Sequence, residues 1–175
     1  MFDDDDDFDF DDFDNYEYRK RMNEFENSPI YLKGQEIKDV VFEICSLIPD
    51  NDDDEIQSLK GEILFDASQL TRKLAFAHNA FYDLKMEAAA IIRKAARDLM
   101  VMDHSLVDIG FKDVRYFKIV RRLIEEYRLL FIDWVAGFDQ WNYITDRWGL
   151  FNPPGISPFD PDDSIPFNRD DDDDD

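Results

Sequence analysis

Residues 112–139 read KDVRYFKIVRRLIEEYRLLFIDWVAGFD, and this stretch decides the fold. Its large apolar side chains recur every three or four residues: Phe117, Val120, Leu123, Ile124, Tyr127, Leu130, Phe131, Trp134 and Phe138. This spacing places them on one face of an α-helix, which has 3.6 residues per turn. The pattern predicts a long amphipathic helix, extending at most to Trp148, whose apolar face must be covered by other helices.

Three earlier stretches show the same helical spacing, over residues 31–48, 54–77 and 80–109. No part of the chain alternates apolar and polar residues between turn signals, as a half-buried β-hairpin does. We therefore predict an all-α protein, an up-down-up-down four-helix bundle over residues 30–150.

The joints between these helices have recognisable signals. Pro49 and the acidic run after it end the first helix, and the run also supplies an N-cap for the second. His78 and Asn79 form a weak break between the second and third helices, which otherwise make one helix over 54–109. Gly110 suits the position just after the end of the third helix.

The net charge of −22 is concentrated at the two ends of the chain. Residues 1–14 contain nine Asp and no base, and residues 160–175 contain nine Asp against Arg169, which leaves residues 15–159 at only −5. Dense like charge with few apolar groups opposes compaction. We expect an acidic tail and linker over 1–29, disordered over 1–14 and a linker or short helix over 15–29, and a Pro-rich, then poly-Asp, disordered tail over 151–175.

The sequence offers no chemistry typical of an enzyme. With two His residues and Cys45 as the single cysteine, neither a disulfide nor a three-His zinc site can form within the chain. Glu-x-x-His pairs of di-iron bundles and Gly-rich phosphate loops are also missing. We predict no catalytic residues, no cofactor and no metal. The acidic start of the chain and the lack of a long apolar stretch predict a cytoplasmic protein without membrane contact.

Aromatic residues are unusually dense near the end of the predicted bundle. Some must cap the core, but Trp and Tyr are also favoured as anchors of protein interfaces. The candidates for an oligomer or partner surface are Trp134, Trp141, Tyr143 and Trp148.

Basic residues recur at i, i+4 on the third and fourth helices, as Arg93 with Arg97 and Lys118 with Arg122. This candidate basic face suits phosphate groups of a nucleic acid, an acidic partner, or the chain's own Asp-rich ends. The alternative is a solvated face balanced by nearby carboxylates.

Several short motifs resemble a known family of small four-helix-bundle proteins, first noticed in intervening sequences of bacterial 23S ribosomal RNA genes. The joint Leu47-Ile48-Pro49 and the turn Asp108-Ile109-Gly110-Phe111 are similar to family elements. The fourth helix follows a Tyr-x-x-apolar pattern from Tyr116 to Glu125. At the end of the second helix the chain departs from the family, with His78-Asn79-Ala80-Phe81 in place of Asn-x-x-Glu-Gly.

The resemblance covers about 110 residues and implies a ring-forming, non-catalytic bundle. Accessory proteins of diversity-generating retroelements are relatives of that family, and they are basic oligomers that bind nucleic acid and a reverse transcriptase. Two hypotheses follow. The first is a homo-oligomeric scaffold or adaptor that binds a basic protein partner. The alternative is an accessory protein that binds nucleic acid through the basic face.

Overall fold

A computed structural model describes residues 10–48 and 53–161, with side chains from Tyr16 onward. The predicted disorder of residues 1–9 and 162–175, and the break at Pro49, lie outside the described residues. The described chain is all-helical and contains no strand. Its helices are α1 (Phe10–Glu26), α2 (Pro29–Ser46), α3 (Asp54–Ala77), α4 (Tyr82–Val101), α5 (Asp103–Asp108) and α6 (Phe117–Ala136), with one 3-10 turn over Val114–Tyr116.

Helix α3 has the bounds that the sequence predicts. The Asp53 side chain accepts hydrogen bonds from the backbone N–H groups of Glu55 (3.0 Å) and Ile56 (3.4 Å). These donors would otherwise have no partner at the start of the helix. The helix ends at Ala77, and the break at His78 separates it from α4, which decides a point that the sequence left open.

The predicted helix over 80–109 is instead two helices, α4 and α5, with a break at Met102. Met102 itself keeps right-handed helical dihedral angles. The break coincides with a hydrogen bond from α6, in which Arg121 Nε donates to the Met100 carbonyl oxygen over 2.8 Å. A carbonyl oxygen that accepts a hydrogen bond from a side chain does not depend on an N–H group in the next turn of its own helix.

Gly110 ends α5 as the sequence predicts. It has a φ of +76°, a conformation that costs glycine little. The Gly110 N–H donates to the Val107 carbonyl over 2.9 Å, and the Phe111 N–H donates to the Leu106 carbonyl over 3.0 Å. This pair of bonds is a Schellman cap, which satisfies the last carbonyls of the helix.

Four helices share one core, because α2 and α4 each pack against both α3 and α6. The predicted stripe of α6 supplies a large part of it, with Phe117, Val120, Leu123, Ile124 and Tyr127 all buried. The fully buried side chains from the other three helices include Ile37, Val41, Ile63, Leu70, Leu74, Ile92 and Leu99. Cys45 is buried among them at 1% exposure, as expected for a cysteine that acts as a small apolar side chain.

Helix α1 begins at Phe10, inside the predicted disordered tail, and continues to Glu26, where the sequence left a linker or a short helix open. Its last turns join the main core through Met22 and Phe25. The Phe25 ring lies 4.9 Å from the Tyr31 ring and 4.6 Å from the His78 ring, centroid to centroid. Burial of Phe25 fixes this end of α1 where α2 begins and α3 ends.

Gly34 of α2 lies close to both α3 and α6. A methyl group there would lie 2.9 Å from Thr71 Cγ2 and 3.4 Å from Tyr127 Cε2. Because Thr71 is buried and β-branched, it has little freedom to move away. The absence of a side chain at this position lets three helices meet.

Gly34→Ala and Gly61→Ala are expected to change the free energy of unfolding in opposite directions. Both lie inside helices, where alanine is favoured over glycine by about 1 kcal/mol. At Gly61 nothing lies within 4 Å of the added methyl, so we expect about 1 kcal/mol of stabilisation. At Gly34 the overpacking costs roughly 1–3 kcal/mol, and we expect net destabilisation of about 1 kcal/mol. Urea denaturation followed by circular dichroism measures both, and a stabilised Gly34→Ala variant would contradict the close packing.

Candidate interaction surfaces

The segment after α6, residues 137–161, has no regular helix but is densely hydrogen-bonded; we call it the tryptophan loop. Asp146 organises its centre. The carboxylate accepts from the backbone N–H groups of Trp148 (2.9 Å), Leu150 (2.8 Å) and Phe151 (2.9 Å). The bond from Phe151, followed by those from Trp148 and Leu150, lowers the pKa of Asp146, because all three favour the charged carboxylate.

Further bonds close the tryptophan loop. Arg147 donates through Nη1 to the carbonyl oxygens of Pro158 (3.0 Å) and Asp160 (2.7 Å). Gly149 has a φ of +72°, and a Cβ there would lie 3.3 Å from Pro158 Cγ, so the two sides of the loop touch. The ordered structure therefore continues to residue 161, beyond the predicted boundary at 150.

The loop is also fastened to the first turn of α4. The Tyr82 N–H donates to the Asn142 carbonyl over 2.7 Å, and the Ile144 N–H donates to Asp83 Oδ1 over 3.0 Å. Both bonds use backbone groups of the loop, so they fix its path and not only its side chains. A segment without regular helix thus has a defined position on the bundle.

Large apolar side chains project from this fixed loop into solvent. The exposed fractions are 88% for Trp141, 89% for Trp148, 74% for Leu150 and 90% for Phe159. We call these four residues the aromatic platform. Tryptophan at this exposure has no packing role within the described chain, and such groups are typical of sites that bind another protein.

The four predicted interface residues separate into two groups. Trp141 and Trp148 belong to the platform. Trp134 is half-buried, with its ring centroid 4.6 Å from that of Phe138, and Tyr143 is half-buried against a small apolar cluster containing Tyr82 and Phe138. The second pair therefore caps the end of the core.

Sequence reasoning missed Leu150 and Phe159 as exposed residues and Asp146 as the organiser of the loop. A signal for Asp146 was present, since Asp and Asn commonly accept hydrogen bonds from backbone groups two residues later. Gly149 and Gly155, both at positive φ, mark the turns around it. The residues between these turns could have been recognised as a structured loop.

A second surface is the groove between α4 and α6, which touch each other less than the other neighbouring pairs among the four core helices α2, α3, α4 and α6 do. Its volume is about 420 Å³. Apolar side chains form its floor, and these are Ile92, Ala96, Met100, Ile124, Phe131 and Ile132. Arg93, Arg97 and Arg128 also line it, so it combines an apolar floor with guanidinium groups.

The predicted basic face is divided by the structure. Arg93 and Arg97 lie together at the α4–α6 groove, where Arg128 joins them. Lys118 and Arg122 are exposed but do not line the groove. Arg122 Nε lies 4.0 Å from Glu126 Oε1, and Glu126 bonds to Lys33 of α2 over 2.7 Å, so Arg122 is directed toward α2.

Carboxylates accompany most of these bases. Arg97 lies 3.8 Å from Asp98, and Arg128 bonds to Glu125 over 2.8 Å. These pairs are exposed and contribute little to stability. Arg93 has no such pair among the described residues, which makes it the most available guanidinium of the groove.

The described residues contain no group of three or more His, Cys, Asp or Glu side chains able to hold a metal ion. None of the helices within 10–48 and 53–161 has the length and apolar character needed to cross a membrane.

His104 is exposed, with Nδ1 3.1 Å from the Val101 carbonyl oxygen, three residues earlier in the chain.

Comparisons with known proteins return no similar chain. No protein-family model matches, and neither a curated protein nor a solved structure is similar to it. The resemblance to the family of 23S intervening sequences therefore stays a prediction, carried by the motifs quoted for it. The aromatic platform and the groove are the two candidate interaction surfaces of the described chain.

Proposed function

We propose that this chain is a non-enzymatic helical adaptor that self-associates and binds a basic protein partner through its aromatic platform. The observation that carries the proposal is the near-complete exposure of Trp141 and Trp148 on a loop held by Asp146. A hydrogen-bonded loop loses little conformational freedom on binding, which favours affinity.

The size of these side chains supports a role in binding. A buried aromatic residue removes about 150–250 Å² from water, at roughly 25 cal/mol for each Å² of apolar area. Trp141 and Trp148 together therefore offer several kcal/mol of binding free energy before the cost of association. Interfaces commonly depend on two or three such residues surrounded by weaker contacts.

Charge next to the platform suggests that the partner is basic. Residues 162–175 contain eight Asp against Arg169, and they follow Pro161, whose carbonyl oxygen lies 3.5 Å from Thr145 Oγ1 in the tryptophan loop. The acidic segment thus continues from the loop that carries the platform. Opposite charges on a partner would accelerate the encounter and orient it.

The bundle we propose for the body is the up-down-up-down arrangement. Support comes from contacts between α4 and α6: the Tyr82 and Phe138 rings lie 6.4 Å apart at one end, and Arg121 bonds to the Met100 carbonyl at the other. The two helices therefore run in opposite directions, and short connections elsewhere favour antiparallel neighbours. Such a body holds the platform at one end, which suits a scaffold.

Self-association through the platform is tested with the double variant Trp141→Ala, Trp148→Ala. We expect the unmodified chain to form a defined oligomer in size exclusion with in-line light scattering, and the variant to be a monomer near 20.8 kDa. The control replaces two exposed aromatics of α2 and α3, Phe42→Ala and Phe76→Ala, and should leave the oligomer intact. An oligomer that survives loss of both tryptophans would contradict the proposed interface.

Binding of a basic partner is tested with a synthetic amphipathic helix carrying Lys on one face and Leu on the other. We expect binding to weaken both in the Trp141→Ala, Trp148→Ala variant and in a chain ending at residue 161. We also expect salt to weaken it, because the Debye length falls from about 10 Å at 0.1 M to about 3 Å at 1 M. Equal binding by all three chains would contradict the proposal.

The alternative, a nucleic-acid accessory protein, is supported by one observation: Arg93, Arg97 and Arg128 line the same groove. Guanidinium groups bind phosphate and stack on bases. If this alternative holds, a chain without residues 1–9 and 162–175 binds single-stranded RNA or DNA at low salt, with affinity falling steeply as salt rises. A chain without these ends that binds neither RNA nor DNA at low salt would exclude it.

A further inference from the structure

We propose that the acidic segment 162–175 binds in the groove between α4 and α6 of its own chain. The groove offers an apolar floor and three arginines. The segment offers the apolar run Ile165-Pro166-Phe167 followed by six consecutive Asp at 170–175. The apolar run of the segment can therefore contact the apolar floor of the groove, and the Asp run can contact the three arginines.

The attachment point of the segment lies at the correct end of the groove. The Pro161 carbonyl oxygen lies 3.5 Å from Thr145 Oγ1. The N–H group of Ile144, the residue before Thr145, donates to Asp83 Oδ1 in the first turn of α4. From Asp83 to Arg93 is about 15 Å along α4, and to Met100 about 25 Å, at 1.5 Å per residue. The groove therefore begins about 15 Å along α4 from Asp83 and leads away from the attachment point.

The length of the segment matches this distance. An extended chain covers about 3.3 Å per residue, so Phe167, six residues after Pro161, reaches about 20 Å from it. That reach exceeds the distance of about 15 Å to Arg93 along α4. The Asp run then follows the groove toward Arg97 and Met100, and the full segment spans about 46 Å at the same rise.

The acidic residues 1–9 are a less suitable occupant of the groove than residues 162–175. Residues 1–9 are also acidic and aromatic, but the contacts that fix α1 on the body come from its far end, at Met22 and Phe25. Among the larger contacts between helices of the described residues, α1 packs against α2. The segment 162–175 is therefore the occupant that attachment and charge both favour.

The consequence of this contact is a groove covered by the chain itself. Ile132, which is 50% exposed, and the partly exposed Met100 would be shielded from water, and Arg93 would gain carboxylate partners. A nucleic acid or acidic protein would then have to displace the segment before it binds the groove. None of the four platform residues lines the groove. The proposed function also uses residues 162–175, so a basic partner would compete with the groove for this segment.

The test uses a spin label at Asp171→Cys in the full chain, with methyl signals observed by nuclear magnetic resonance. The native Cys45 should not react, because it is 1% exposed and burial raises the pKa of its thiol to about 11. We expect the label to broaden the methyl signals of Met100 and Ile124 in the groove. The signals of Leu47 and Leu64, at the α2 and α3 side, should be unaffected.

Charge variants decide whether the arginines hold the segment. In Arg93→Gln, Arg97→Gln, Arg128→Gln the selective broadening should be lost. The matched control Arg19→Gln, Arg72→Gln, Arg122→Gln makes the same change in net charge on exposed residues outside the groove and should retain it. Circular dichroism of both variants verifies that they are folded.

Three results would overturn the proposal: uniform weak broadening in the unmodified groove, persistence of broadening in the groove variant, or broadening between different chains. The last is measured by mixing spin-labelled chains without isotope label with isotope-labelled chains without a spin label. The Trp141→Ala, Trp148→Ala variant should keep the broadening, which separates failure of this inference from failure of the platform.

Discussion

Tyr127→Ala is expected to lower the free energy of unfolding by about 3–5 kcal/mol, the range found for removal of large buried aromatic side chains. Tyr127 is 1% exposed and lies where α2, α3 and α6 meet. Its hydroxyl donates to the Leu70 carbonyl oxygen of α3 over 2.9 Å. The ring also packs against Gly34 of α2, so truncation opens a cavity between three helices. Urea denaturation followed by circular dichroism measures the loss.

Tyr127→Phe separates the ring from the hydroxyl. It keeps the packing and removes one hydrogen bond, so we expect a loss of only about 1 kcal/mol. Burial raises the pKa of the Tyr127 phenol, which keeps the hydroxyl protonated and able to donate. Phe76→Ala, at a residue 56% exposed on α3, is the control and should change stability by less than about 0.5 kcal/mol. Equal losses from Tyr127→Ala and Phe76→Ala would contradict the role of Tyr127 at the centre of the core.

The parts of the fold that the sequence predicts best are those determined by local signals. Asp53 and the break at His78 give the bounds of α3 because capping is decided by a few neighbouring residues. The stripe of α6 identifies its buried face because helical period and burial are directly linked. Gly110 ends α5 for the same local reason, a positive φ.

Tertiary contacts decide the parts that the sequence did not predict. The break between α4 and α5 coincides with a hydrogen bond from Arg121, 21 residues after Met100 in the chain. Phe25 brings the end of α1 into the core although the rest of α1 has little apolar periodicity. No pattern within either segment reveals its distant partner.

The candidate surfaces, too, were predicted from the sequence only where neighbouring residues decide them, and not where tertiary contacts do. Density of aromatic residues identifies the right region, but only the path of the tryptophan loop separates exposed Trp141 and Trp148 from half-buried Trp134 and Tyr143. Arg93 and Arg97 share a face because they are one turn apart on one helix. Lys118 and Arg122 also share a face, yet the rotation of α6 against α4 directs that face elsewhere.

Asp66→Asn is expected to raise the free energy of unfolding at pH 7. Asp66 of α3 is 6% exposed, and its carboxylate has no hydrogen-bond donor among the described residues. Desolvation is the main cause that raises its pKa from 3.8 to about 6; Asp98 and Glu62 raise it further, while Lys94 opposes them. A charged, buried and unbonded carboxylate is costly, and a neutral amide of the same shape avoids most of that cost.

The dependence on pH follows from the direction of this shift. Below about pH 4 both the folded and unfolded chains hold the proton on Asp66, so the carboxyl group has no effect on relative stability. Between about 4 and 6 the folded chain keeps the proton after the unfolded chain has lost it, and stability therefore falls as pH rises. Above 6 both forms are charged and the full destabilisation is present. A shift of about two units corresponds to at most about 3 kcal/mol, at 1.36 kcal/mol per unit.

The measurement is urea denaturation of the unmodified chain, Asp66→Asn and Asp39→Asn between pH 4 and 8. Other carboxyl groups titrate in the same window, so the difference between chains is the informative quantity. We expect Asp66→Asn to gain roughly 1–3 kcal/mol at pH 7 and to lose that advantage as pH falls to 4. Asp39, exposed on α2, should show neither effect. If Asp66→Asn is less stable than the unmodified chain at pH 7, the carboxylate must gain from Lys94 more than it loses by burial, and its native role is that of an ion-pair partner between α3 and α4.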